Sequence, residues 1–463
     1  MQEAPEFVVH AGSSQKGADI LTEKAGYSYV VSRRRQATTY WRCSVRNQSN
    51  TCPATVTQSS DIDFRRGRHQ HSHPAVLGVD IAKPIVHDIK AAARQDVFQP
   101  ALDIVDKTLK DAGLSQPCPA LPAVGNIIRC TNRHRSAARP KDPEDLAFSL
   151  DMSHIPDDFL QADITEHGQR HLLFESPECL QLLSVSKSWY IDGTFSVVGK
   201  PFKQLLSVHC FVKCDNCVKQ VPLAYIIMSR RKAKDYRAVL SALLSCMPSV
   251  NVHSVTTDFE RALWRAVKSV LPNVEHHGCT FHMTQAIYRK IQNVGLVNEY
   301  QNNRIVYKLC RLIMALPLVP AAHISTLFND LRPQAISDPL RHLFAYVDGT
   351  WINSPIWPPS SWSAFRRPVR TNNDVEGWHY RLNRRARSCH LPLYVLIRLL
   401  HDETQVCSLH VKLVSDRKLT RSQKKKYKNL HSKLNSLWDD FDSGVKSARK
   451  LLSGCAYIYG PSE

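Results

Sequence analysis

The sequence predicts an α/β (α+β) protein: a mixed sheet with a helical insertion, preceded by a small β-rich unit and flanked by helical segments. Three observations carry this expectation. Between residues 189 and 293, strand-like apolar runs alternate with stretches of helical spacing. Residues 21–74 alternate apolar and polar residues over a length too short for a large core, and end in His-x-His-Pro. Hydrophobic residues make up 43% of the 463 and charged residues 22%, enough apolar surface for most of the chain to fold.

The elements follow in order. Trp189 to Phe195 reads as a strand, Gln204 to Val212 as a second and Val218 to Met228 as a third, the last two joined at an Asp215-Asn216 turn. Tyr236 to Cys246 has helical spacing, Val252 to Asp258 is strand-like and Glu260 to Leu271 helical. Val274 to Cys279 is a short strand and Phe281 to Asn293 a helix. An antiparallel meander continued by βαβ units is the layout of a ribonuclease H-like fold, whose first and fourth strands are parallel neighbours. Residues 296–365 read as helical and irregular, with prolines concentrated between Trp351 and Pro359. A helix carrying Glu376 follows Thr371, and the C-terminal stretch is helical and basic. The expected organisation is a flexible tail (1–20), a small unit (21–74), a linker with a small helical region (75–185), a sheet domain (186–395, inserted at about 296–368) and a C-terminal helical region (396–463).

Charge narrows the partners. Lysine plus arginine number 61 against 41 acidic residues, a formal charge of +20. Such a surplus favours a polyanion, because each neutralised phosphate releases counterions. No apolar run approaches the ~18 residues that span a bilayer, so nucleic acid is expected and membrane is not. The first residues lack the apolar stretch of a secretory signal, and 14 scattered cysteines do not form a dense disulfide pattern. A reducing compartment follows, and for a DNA-binding protein the nucleus.

Acidic residues supply the candidate chemistry. Asp192 follows an apolar run and precedes Gly-Thr-Phe; taken alone it reads sooner as a turn aspartate before glycine. Asp258 ends the fourth strand directly before a helix, where the alternative is an N-cap. If those strands are parallel neighbours, the two carboxylates converge, and their repulsion calls for cations. Hard oxygen ligands suit Mg²⁺ or Mn²⁺, a pair of which serves phosphodiester displacement. The segment Thr371-Asn372-Asn373-Asp374-Val375-Glu376-Gly377-Trp378-His379 offers a third carboxylate, and spacing does not choose between Asp374 and Glu376. Gly377 beside it suggests a close approach.

Four motifs now stand in order: Asp-Gly-Thr-Phe at 192–195, Thr-Asp-Phe-Glu at 257–260, Gly-Cys-Thr-Phe-His at 278–282 and Thr-Asn-Asn-Asp-Val-Glu-Gly-Trp-His at 371–379. Together they resemble the successive motifs of Mutator-like element (MULE) transposases, over roughly residues 185–400. The resemblance implies a DDE-type triad of Asp192, Asp258 and Glu376, which settles Glu376 over Asp374. Cys279 and His282 also match; they are candidates for metal binding, for packing or for a positioning hydrogen bond.

Near the N-terminus, Cys43 and Cys52 are followed by His71 and His73, a ligand set that satisfies tetrahedral zinc. The layout Gly26-Tyr27-x-Tyr29, Tyr40-Trp41-x-Cys43, Cys52-Pro53-Ala54 and His71-x-His73-Pro74 resembles a FLYWCH-type zinc finger. His69 creates an overlapping His-x-His, so His69 with His71 is an alternative pair. Arginines 33–35, 65, 66 and 68 give this unit a basic surface, suited to DNA. The resemblances imply a DNA transposase that cuts and joins strands, working as a multimer because two DNA ends must be paired. The alternatives are a transposase-derived regulatory protein that binds DNA without cutting, and a ribonuclease H-like nuclease of another kind.

Overall fold

A computed structural model of the chain describes residues 6–13, 17–113, 118–367, 369, 373–421 and 425–458, with backbone only for 425–427. Thr371 and Asn372 of the Glu376 motif lie outside the described residues, as do residues 1–5 and 14–16 of the expected tail. The chain divides into two compact units, Met1–Lys141 and Asp142–Glu463.

The first unit opens with a six-stranded antiparallel sheet in chain order: β1 (Phe7–His10), β2 (Ile20–Glu23), β3 (Tyr27–Arg35), β4 (Thr38–Cys43), β5 (Thr55–Gln58) and β6 (Phe64–Arg66). β1 lies in the stretch read as a flexible tail. It pairs Phe7 with Glu23 and His10 with Ile20, and the Phe7 ring stacks on Phe64. A four-residue edge strand leaves too short an apolar pattern to be seen in sequence. The core is small, built from Phe7, Leu21, Tyr29, Trp41 and Val56 around Cys43 and Cys52. At Gly26 (φ 98°) the β2–β3 turn accepts a hydrogen bond from Val76 N, and a Cβ there would lie 2.8 Å from the Val76 carbonyl oxygen. This seam ties the segment after His73 back to the sheet. Three helices follow, α1 (Val79–Gln95), α2 (Ala101–Asp111) and α3 (Val124–Ala138), packed through Ile85, Ile89, Ile104, Val105 and Ile127.

The second unit begins with a hairpin, β7 (Leu160–Glu166) and β8 (Gln169–Phe174), then α4 (Pro177–Val185). Ser176 caps α4, its Oγ accepting from Cys179 N, with Pro177 at the first helical position. Next come β9 (Ser188–Thr194), β10 (Gln204–Cys214), β11 (Cys217–Met228), α5 (Ala233–Ser245), β12 (Ser254–Thr257), α6 (Arg261–Val270), β13 (Glu275–Gly278) and α7 (Thr280–Asn293). The strand and helix order expected from Trp189 to Asn293 is the one observed. The sheet is mixed, in the order β13-β12-β9-β10-β11-β8-β7. β12 runs parallel to both β9 and β13, and the remaining pairs are antiparallel. The region expected as linker and helices (75–185) therefore also supplies two strands. β7 is an edge strand with only partly covered side chains, so its polar residues mask the alternation.

Beyond α7 the expected insertion is helical: α8 (Val297–Asn302), α9 (Arg304–Ala315), α10 (Ala321–Leu331), α11 (Asp338–Val347) and α12 (Pro359–Trp362). Then come α13 (Asn373–Ala386), α14 (Leu393–Ser415), α15 (Lys425–Asp442) and α16 (Ala448–Ile458). The C-terminal helices share the core of the insertion, where Trp438, Leu451 and Cys455 pack with Ile313, Phe328 and Trp362. A second core buries one face of the sheet: Trp189, Ile191, Leu206 and Ile226 meet Tyr236, Leu240, Leu263 and Val267 of α5 and α6. Strand alternation sends Tyr190 and Asp192 to the opposite face. There Trp378 of α13 stacks on Tyr225 at 5.7 Å between ring centres. Among the described residues no helix is long and apolar enough to cross a membrane.

Candidate active site and zinc centre

Asp192 sits inside β9 and is 4% exposed. Its Oδ1 accepts from Gly193 N at 2.8 Å, while Oδ2 is buried without a hydrogen bond, 3.8 Å from Nδ1 of His379. Asp258 follows the last residue of β12. It is not the cap of α6, since that helix starts at Arg261 with Glu260 at the N-cap position. Instead its carboxylate meets Nδ1 of His282. Glu376 lies in the first turn of α13 and reaches the other side of the same ring, Oε1 to Nε2 at 3.1 Å. The rival Asp374 is engaged by Arg421 at 2.6 Å. Gly377 makes no close approach, because a Cβ there would meet nothing within 4 Å.

Burial, then the negative charge of Asp258, pushes the Asp192 carboxyl well above the usual range, with His282 opposing and Glu376 adding to the rise. Burial works against charge on His282, but contacts with Asp258, Cys279 and Glu376 outweigh it and raise its pKa to about 12. His282 is thus a cation wedged between two carboxylates, and its hydrogen bond holds Glu376 below the usual range. His379 is the opposite case: burial outweighs the nearby acids and lowers it to about 4, leaving it neutral. The three acids share one locality without closing into a cluster. Among the described residues, only the N-terminal Cys/His quartet places three or more such ligand atoms within 4.8 Å of one another.

Cys279, buried at the start of α7, contacts His282 and so bears on the wedge. Sequence reasoning did not single out His379, although its position three residues after Glu376 places both on one helical face. It also missed Glu260. That residue lines a cavity of about 50 Å³ with Asp192, Phe195, Gln204, Tyr236 and Asp258. Tyr236 Oη donates to Glu260 at 2.9 Å and receives from Gln204 Nε2 at 2.8 Å; burial raises the Glu260 pKa. A further buried carboxylate, Glu403 of α14, locks α13 in place. It accepts from Trp378 Nε1 at 2.8 Å and from Arg381 and Arg385.

In the first unit the sheet gathers the expected ligands. Cys43 ends β4, Cys52 precedes β5, and the segment after β6 brings in His71 and His73. Cys43 Sγ is 3.1 Å from His73 Nε2 and Cys52 Sγ is 3.4 Å from His71 Nδ1. Tetrahedral zinc with ordinary Zn–S and Zn–N lengths sets such pairs about 3.6 Å apart. The second contacts fit as well. Tyr29 Oη donates to Glu23 and receives from His71 Nε2 at 2.9 Å, leaving the Nδ1 lone pair for metal. His73 donates Nδ1–H to the Pro74 carbonyl at 2.9 Å, leaving Nε2. Burial and His73 lower the His71 pKa, which favours the neutral, ligating form. His69 is exposed and outside the quartet, so among the described residues the set that could hold a metal takes His71 and His73.

Fold and site thus define a class: a zinc-binding β module joined to an α/β unit with acids gathered over its central strands. Comparison with known families agrees. Residues 188–286 match the model of the MULE transposase domain, and residues 13–73 match that of the FLYWCH zinc finger domain. Asp192, Asp258, Cys279 and His282 fall within the first match and Glu376 lies beyond it. Cys43, Cys52, His71 and His73 all fall within the second. No curated protein matches the chain.

Proposed function

We propose that the chain is a DNA transposase that cleaves and joins phosphodiester bonds with Asp192, Asp258 and Glu376, on a ribonuclease H-like sheet. The observation that carries this reading is the gathering of these acids around His282 from β9, the end of β12 and α13. Parallel pairing of β9 with β12 is the arrangement a ribonuclease H-like sheet calls for. The donor set fits a hard divalent cation: carboxylate oxygens, with Asp192 Oδ2 buried and unpartnered. Mg²⁺ or Mn²⁺ held there would supply Lewis-acid activation of the attacking oxygen and neutralise charge at the scissile phosphate.

The chain's own residues set the rest. His282 offsets the charge of Asp258 and Glu376, and must leave the gap between them for both to face one cation. His379 stays neutral, so it adds no positive charge beside Asp192. Glu260 is held by Tyr236 at the wall of the cavity next to Asp192 and Asp258. The zinc module and the excess of basic residues would hold the element ends, in a multimer within the nucleus.

The second reading is a transposase-derived regulator that binds DNA without cutting. The His282 wedge favours it, since the protein supplies its own counter-charge to the acids. A nicking assay on supercoiled plasmid with Mn²⁺ separates the two. Wild type is expected to nick and Asp258→Ala to lose at least about 10³-fold in rate. If neither nicks while sequence-specific duplex binding persists, the regulatory reading holds.

A further inference from the structure

Residues 79–138 lie outside both matched stretches, yet α1–α3 form a helical trio with its own core. Charge is divided unevenly among them. α1 carries Asp80 and Asp88, α2 carries Asp103, Asp106 and Asp111, and α3 has no acidic residue at all. The buried stripe of α3 is Ile127, Thr131 and Arg135, spaced by four.

Arg135 belongs to the packing. It donates to the carbonyls of Val97 (3.2 Å) and Phe98 (3.4 Å), and Arg139 donates to Val97 O at 2.7 Å. Two arginines therefore tie α3 to the α1–α2 connection. On the opposite side Asn126, Arg129, Arg133 and Ser136 form one exposed stripe. Among the described residues neither Arg129 nor Arg133 makes an ion pair; Arg129 instead donates to Asn126 Oδ1 at 2.5 Å.

We propose that α3 is a recognition helix for duplex DNA, its stripe Asn126–Arg129–Arg133–Ser136 facing base edges in the major groove. An α-helix fits that groove; an arginine fork matches guanine O6 and N7, and an asparagine amide matches adenine N6 and N7. A face without carboxylates meets no repulsion from flanking phosphates. Anchorage through Arg135 and Arg139 fixes the helix before binding, which lowers the ordering cost. The inference rests on the reading that the chain handles DNA, and not on whether its acids cut.

The test uses the full chain. A duplex pool with a randomised centre is selected for binding, and affinities for the selected and a scrambled duplex are measured by anisotropy. The double variant Arg129→Ala/Arg133→Ala is expected to lose roughly 10- to 100-fold on the selected duplex and less on the scrambled one. Arg129→Lys keeps the charge without the fork, so it should restore scrambled binding but not selectivity. These positions are exposed, and an unchanged circular dichroism spectrum will show the fold intact. Selected-duplex affinity within about twofold of wild type in the double variant would overturn this inference alone. Preferred binding of RNA over duplex DNA would overturn it too. A wild-type chain that binds no duplex would overturn both it and the DNA reading. Loss of selectivity in the variants supports it whether or not the wild type nicks.

Discussion

Nε2 of His282 lies 3.1 Å from Oε1 of Glu376, while Nδ1 of the same ring meets Asp258. One imidazolium thus joins a helix that follows the sheet insertion to the strand end that precedes it. Among the described residues, this imidazolium is the positive charge that the two carboxylates share. His282→Ala is therefore expected to lower stability in EDTA, by about 1 kcal/mol after solvent screening of the half-exposed acids, and with it the melting temperature. It should also enlarge the upward shift produced by Mn²⁺, because the competing cation is gone. A calorimetric scan in EDTA and in Mn²⁺ reads both. An Mn²⁺ shift no larger than that of wild type would show that the ring does not occupy the ion's position.

Asp192 gives a pH-dependent effect. Its carboxyl is held well above 3.8 by burial, then by Asp258, whereas the unfolded chain ionises near the ordinary value. Unfolding then releases a proton, so stability is lost as pH rises from about 3.8 toward the raised folded value. Asp192→Asn removes that loss. At pH 7 in EDTA the variant is expected to be more stable than wild type, read as a higher melting temperature. Below pH 4 the gain should vanish, and Mn²⁺ should no longer stabilise the variant. A variant less stable than wild type at pH 7 would contradict this account of the buried oxygen.

Glu403 tests how the helix bearing Glu376 is fixed. Its fully buried carboxylate binds Trp378, Arg381 and Arg385, all on α13. Glu403→Leu leaves an indole N–H and two guanidinium groups without their acceptor. The arginines are more than a third exposed and can rehydrate, so the expected cost is about 1–3 kcal/mol rather than that of a dry ion pair. Nicking should fall further than stability, since Glu376 shares the helix. Urea melts beside plasmid nicking rates separate the two effects.

Much of this was legible in the sequence where burial writes a clean pattern. β9, β10 and β11 are covered on both faces for most of their length, so they read as near-continuous apolar runs. Asp192 and Asp258 interrupt or end such runs, and for that reason they drew notice. Glu376 sits on a half-exposed helix, where carboxylates are common; only the motif order selected it. β1 and β7 escaped because edge strands bury little. His282 stood out in the sequence, with a positioning hydrogen bond among its readings, but its partners did not: the ring bridges two distant carboxylates. No local pattern encodes a contact between residues 282 and 376.

The zinc quartet yields a final set of expectations. A core of eight buried residues supports six short strands only weakly, so much of the stability of this sheet must come from metal. Chelation, or Cys43→Ser, is expected to unfold residues 13–73 while leaving the melting transition of the second unit in place. His69→Ala should bind zinc as wild type does, whereas His71→Ala and His73→Ala should not. Tyr29→Phe keeps all four ligands but removes the hydroxyl that links His71 to Glu23; affinity is expected to fall about 10-fold. Competition with a coloured zinc chelator measures each constant, and zinc content by elemental analysis confirms one ion per chain. Full zinc retention in His71→Ala together with loss in His69→Ala would reverse the assignment of the ligand pair.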